Sequence, residues 1–162
     1  MSCQTFHCIF LGGNEMETRF IMGKVFPKGY AAVGNLYKVA TESSIDKSLQ
    51  ELMYIRASQI NKCAFCIDGH TKKARSYGET EQKIYALSAW EESNQFTEQE
   101  KAALALTEAI TLISEEQLPD RIYDEVQKHF SQEEIAELIM AAIMINTFNR
   151  VAISTRLIPK ID

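Results

Sequence analysis

Proline is scarce, at three in 162 residues, and glycine is held to seven. A chain so poor in both is neither collagen-like nor a low-complexity linker. Four unevenly spaced cysteines are too few to staple a secreted disulfide scaffold. Basic residues do not dominate either: 17 Lys and Arg against 22 Asp and Glu leave a net charge of −5. With no basic stripe, no nucleic-acid partner is expected. Long apolar runs are missing as well, since the most apolar stretch, Leu138 to Ile145, covers eight residues where a bilayer-crossing helix requires roughly 20. The N-terminus lacks the charged start and sustained apolar centre of a secretion signal. These absences point to the cytoplasm, a reducing compartment, and to no membrane partner. No glycine-rich phosphate loop follows a strand, so no nucleotide has a seat and no cofactor is expected.

What is present is helical rhythm and capping chemistry. From Pro27 the residues Tyr30, Val33, Leu36 and Tyr37 recur with helical spacing. Asp46 can cap a second helix with an apolar face of Leu49, Leu52, Met53, Arg56, Ala57 and Ile60, with Glu51 at its edge. The pair Asn61-Lys62 breaks that pattern. Thr80 caps a short helix to Trp90. Thr97 with Glu100, and Ser131 with Glu134, read as capping boxes that open two longer helices. Pro119 fits the first turn of the helix between those two. The last helix runs to about Thr155, with Pro159 shortly after. No segment alternates like a strand. The expectation is a single-domain, all-α fold of about seven helices occupying residues 16–162. Residues 1–15 carry no period and form an extension dispensable for the fold. Cys3, His7 and Cys8 within it match no familiar zinc spacing.

The chemistry concentrates between Glu51 and His70. Cys63 and Cys66 form a C-x-x-C, His70 follows the second cysteine by four residues, and Glu51 precedes the first by twelve. The segment after Cys63 reads as helix, with Phe65, Ile67 and Ala74 apolar and Gly78 as its stop. Cys66 and His70 then share one face, and Cys63 sits at the helix N-terminus, where free backbone N–H groups favour a thiolate. The preceding helix, folded back, brings Glu51 near His70.

Three readings of these four residues compete. In a redox site, Cys66 is the nucleophile, its thiolate forming below the ordinary value of about 8.5. His70 takes its proton, Glu51 orients the imidazole, and Cys63 resolves oxidised Cys66 as a disulfide. In a metal site, Cys63, Cys66, His70 and Glu51 are acceptable zinc ligands, although no second knuckle accompanies them. In a structural site, the cysteines pack as small apolar residues and His70 is a core histidine. A c-type haem is excluded, because Ile67 stands where its histidine would be.

The run E-x(11)-C-x-x-C-x-x-x-H, set in RASQINKCAFCIDGHTKKAR, closely resembles the core motif of the AhpD-like alkylhydroperoxidases of the carboxymuconolactone decarboxylase superfamily. The resemblance continues through GETEQKIYALSAWEES, FTEQEKAALALTEAITLI and INTFNRVAI, and covers about Glu17 to Pro159. It implies a helical fold assembling as trimers or hexamers and a peroxidase in which Cys66 attacks the peroxide, Cys63 resolves it, and His70 and Glu51 relay protons. The implied partners are a peroxide and a dithiol donor of lipoyl- or thioredoxin-like type. Some peroxidases of the family carry a histidine just before the second cysteine, where this chain has Phe65. Carboxymuconolactone decarboxylases proper lack the paired cysteines.

Overall fold

The computed structural model describes residues 17–159. The expectations for Cys3, His7, Cys8 and the 1–15 extension lie outside these residues. Among the described residues all regular structure is helical: α1 (Met22–Val25), α2 (Pro27–Thr41), α3 (Lys47–Ile60), α4 (Ala64–Ser76), α5 (Glu81–Ala86), α6 (Glu98–Thr111), α7 (Ile113–Glu116), α8 (Asp120–Gln127) and α9 (Gln132–Thr155). Seven of these have six residues or more; α1 and α7 are single turns too short for any periodicity to reveal.

The helix starts lie where the capping chemistry puts them. Asp46 Oδ1 accepts the Leu49 N–H at 3.0 Å, and Thr80 caps α5. The capping boxes of Thr97 with Glu100 and Ser131 with Glu134 are closed in both directions. Pro119 is the N-cap of α8 rather than a member of its first turn. The helix expected from Thr80 to Trp90 is divided. After Ala86 it tightens into a 3-10 segment, Leu87–Glu92, with a non-helical Ala89. That kink turns Trp90 inward, where its indole N–H donates to Glu108 Oε1 at 2.6 Å.

Helix α3 is the centre of the molecule. It packs against α4, α6, α9 and the 3-10 segment. Enclosure on so many sides buries more than one stripe: Gln50, Glu51, Tyr54, Ile55 and Ser58 are buried alongside Leu49, Leu52, Met53 and Ala57. Arg56, read as part of the apolar face, instead stays partly exposed and pairs with Glu108 at 2.5 Å.

Helix α9 is the other long core element and packs against α2, α3, α4, α6 and α8. By length and composition it matches a membrane span, which the eight-residue run did not reveal. Half of its apolar window is buried inside the chain, and a core helix accounts for it. Met144 and Ile145 on α9 are core residues. The apolar residues α9 leaves outside are Met140, Ile143 and Ile153, at 38%, 40% and 46% exposure.

The central place of α3 sets an order of stabilities. Leu52→Ala, at a fully buried site, should cost about 2–5 kcal/mol. Thr97→Ala, which opens one capping box, should cost about 0.5–2 kcal/mol. Urea midpoints at constant slope measure both, and the reverse order would remove α3 from the centre of the core.

Candidate active site

The turn from α3 to α4 places the cysteines. Asn61 ends α3, and Lys62 adopts φ +60°, the left-handed region where glycine is usual. The Lys62 N–H returns to Gln59 O at 3.1 Å and the Cys63 N–H to Ser58 O at 2.9 Å, which together make a Schellman motif. This reversal makes Cys63 the N-cap of α4 and lays α4 along α3. Cys63 and Cys66 are both buried free thiols, with their Sγ atoms 2.7 Å apart.

The fold-back also unites the other two residues. His70 Nδ1 lies 2.6 Å from Glu51 Oε2, with Glu51 6% exposed. The four expected residues therefore come as two pairs on adjoining turns of α3 and α4. Among the described residues, no three His, Cys, Asp or Glu side chains converge as a metal-binding group. The four-ligand zinc arrangement is not assembled.

The two thiols are not equivalent. The hydrogen bond with Cys66 lowers Cys63 to about 7; burial opposes the shift, while the backbone N–H groups of Cys66 and Phe65 and the Asn149 amide assist it. Cys66 moves upward, first through that same hydrogen bond with Cys63, then through burial and the Cys63 charge. The expectation of a lowered Cys66 is thus corrected. The N-cap position collects the backbone donors, and it belongs to Cys63. Access runs the other way, because Cys66 and not Cys63 lines a cavity of about 230 Å³ between α2, α4 and α9. Phe65, Met144 and Phe148 form apolar walls of this cavity, and His70 opens onto it. A larger cavity of about 330 Å³, beside Glu108, Leu112 and Gln117, contains no thiol and no histidine.

Several neighbours escaped the sequence reading. Asn149, fully buried on α9, accepts from Asn61 Nδ2 at 2.9 Å and donates to Ser58 Oγ at 3.0 Å. Its polarity on a buried face of an apolar helix was the available signal. The Tyr54 ring lies 5.1 Å from the His70 ring, and burial, then Glu51, keep its phenol strongly protonated. Tyr54 packs against the imidazole with its hydroxyl buried and without a hydrogen-bond partner. Lys73 reaches Tyr37 Oη at 2.9 Å on the cavity rim. His129, beyond the end of α8, pairs with Glu125 at 3.4 Å, remote from this site in sequence and not among the cavity's lining residues.

Residues 27–109 match the model of the carboxymuconolactone decarboxylase family. An uncharacterised Bacillus subtilis protein, YdfG, is 42% identical over 139 residues, covering 86% of this chain and 95% of its own. The chain belongs to the carboxymuconolactone decarboxylase family. Within it this member is AhpD-like. A solved structure from Agrobacterium tumefaciens, of a protein of unknown function described as a candidate antioxidant defence protein AhpD, superposes with a TM-score of 0.88. It has 38% identity, over 90% of this chain and 100% of the other. The debrominase Bmp8 shares the fold, with a TM-score of 0.72 at 22% identity over 86% of this chain and 74% of its own. The family match spans α2 to α6, which holds Glu51, both cysteines and His70, while Asn149 and the α9 wall lie beyond it.

Because the Cys63 value is depressed, its thiolate stabilises the reduced fold above the unfolded thiol value, and that contribution is lost as pH falls through about 7. In a Cys3→Ser/Cys8→Ser background, ultraviolet thiolate absorbance should therefore titrate near that pH. Cys63→Ser should abolish this low step, and Asn149→Leu should move it upward. A low step that survives Cys63→Ser would transfer the charge to Cys66.

Proposed function

We propose that this AhpD-like protein is a thiol-dependent peroxidase that reduces a hydroperoxide with the Cys63–Cys66 dithiol. The observation that carries the reading is the Glu51–His70 pair standing beside two free thiols, one of which, Cys66, lies on the floor of an apolar cavity. Cys66 is the attacking sulfur because it is the one a substrate in that cavity can reach. It must lose its proton first. Two acceptors are close: the Cys63 thiolate at 2.7 Å, and the imidazole one helical turn on, with its Nδ1 engaged by Glu51 and its Nε2 left to act.

The Cys66 thiolate attacks the terminal peroxide oxygen. The sulfur–oxygen bond forms as the oxygen–oxygen bond breaks, and the alkoxide leaves as an alcohol with the proton held by the relay. Cys63 then attacks the Cys66 sulfur, the disulfide forms, and the hydroxyl departs as water. One hydroperoxide and two thiols become one alcohol, one water and one disulfide. An external dithiol restores the thiols by exchange. The cavity is apolar, small and walled by aromatics, which favours an organic hydroperoxide. The reaction needs no bound cofactor and takes place in the cytoplasm.

His70→Ala should lower the peroxide-reduction rate by about 10²–10⁴-fold, the usual contribution of a positioned proton-transfer group, and Glu51→Gln should lower it less. Stopped-flow consumption of cumene hydroperoxide by the reduced protein measures both. A fully active His70→Ala protein would take the imidazole out of the reaction.

We also propose a homo-oligomer, a trimer or hexamer, closed through the outer side of α9. Met140 and Ile143, with Val39 on α2 at 63% exposure, leave an apolar stripe that one chain does not cover. Met140→Glu combined with Ile143→Glu should lower the mass measured by light scattering. An unmodified protein that is already monomeric at micromolar concentration rules the assembly out.

A further inference from the structure

The peroxidase reading leaves open which hydroperoxide fits, and the cavity beside Cys66 has a polarity that narrows the choice. Its floor is one face of α4, where Cys66, Gly69, His70 and Lys73 follow one another at helical spacing. Its walls are Phe65, Met144 and Phe148. At about 230 Å³ it falls below the range of about 300–1,000 Å³ usual for drug-sized ligands, so the occupant is small or enters end-on.

Two features point to the occupant's shape and charge. Gly69 sits in the middle of α4, where glycine costs about 1 kcal/mol against alanine. A Cβ there would meet nothing within 4 Å, so backbone packing does not require glycine at this position. Its absence of a side chain instead keeps the floor open between Cys66 and Lys73. The second feature is Lys73 itself. Its ammonium is half-buried at the rim, donates to the Tyr37 hydroxyl at 2.9 Å and lies 5.3 Å over the Tyr37 ring. An ammonium has three donors, and the partner engaged here is a neutral phenol, not a carboxylate. Burial opposes its charge, but the Tyr37 hydrogen bond and the Glu51 charge outweigh that.

We propose that the cavity takes a hydroperoxide of an aliphatic carboxylic acid, its carboxylate on Lys73, its chain along Gly69 against Phe65, Met144 and Phe148, and its peroxide at Cys66. This rests on the peroxidase reading and adds the substrate class to it. Lys73 lies seven positions after Cys66, about 10 Å along the helix axis. The span suits a medium-length chain with acid and peroxide at opposite ends. The bond changes are those of the peroxidase cycle, and the carboxylate takes no part in them. Lys73 is therefore a specificity residue.

The test compares ω-hydroperoxyoctanoic acid with its methyl ester, and separately measures octanoate binding by calorimetry. The reduced protein should prefer the acid by kcat/KM. Lys73→Met should cut the acid-to-ester ratio by about 10–100-fold, the worth of a hydrogen bond to a charged group, while Lys73→Arg retains most of the preference. Octanoate should bind the unmodified protein, and Lys73→Met or Gly69→Leu should abolish that binding. Turnover of acid and ester at equal rates, with no octanoate binding, overturns this inference and leaves the peroxidase standing. Octanoate binding that needs Lys73, with no peroxide reduced, overturns the peroxidase and the hydroperoxide together.

Discussion

A carboxylate lies almost wholly out of water in the middle of this protein, and the rest of the structure is arranged so that it does. Glu51 sits on α3, the helix enclosed by α4, α6, α9 and the 3-10 segment. A buried acid needs a partner to offset lost hydration. Its partner, His70, arrives from α4 at 2.6 Å. That contact requires α4 to run back along α3, which in turn requires the left-handed Lys62 and the two return hydrogen bonds of the turn. The same turn places Cys63 at the N-terminus of α4. One reversal of the chain thus sets the acid–imidazole pair and the dithiol together.

Within the dithiol, charge and access are divided. The N-cap sulfur collects backbone donors and the Asn149 amide, and it is sealed from the cavity. The sulfur one turn further holds the proton and faces the opening. Two sulfurs 2.7 Å apart can pass that proton between them. This division gives each cysteine a different use in the proposed cycle: one stores charge and later forms the disulfide, while the other meets the substrate. Asn149 links the arrangement to α9, so the site draws on three helices although its motif occupies only two.

Much of this was legible in the chain. The capping residues Asp46, Thr80, Thr97 and Ser131 marked helix starts because their side chains satisfy backbone donors locally, and local chemistry survives folding. The motif named the family and four residues that the fold brings together as two pairs. Less legible was the true burial of α3. Periodicity marks the apolar stripe of a helix buried on one side, whereas α3 is surrounded, so Glu51, Tyr54 and Ser58 lie inside without fitting any stripe. The kink at Ala89 was hidden for a similar reason, since what turns Trp90 inward is Glu108 on a different helix.

The sequence by itself determined the helical class, the helix starts, the family and the presence of Cys63, Cys66, His70 and Glu51 within one hairpin. Spacing and capping are properties of neighbours along the chain, and a linear reading reaches them. Tertiary structure alone decided in which directions the two thiols shift, which one opens to the cavity, that Lys73, Gly69 and Phe148 line that cavity, and that Asn149 joins the turn beside Cys63. Those outcomes depend on burial, on the Asn149 amide donor brought from α9 and on the Tyr37 hydroxyl acceptor brought from α2. Dielectric surroundings and distances between remote segments exist only once the helices have packed.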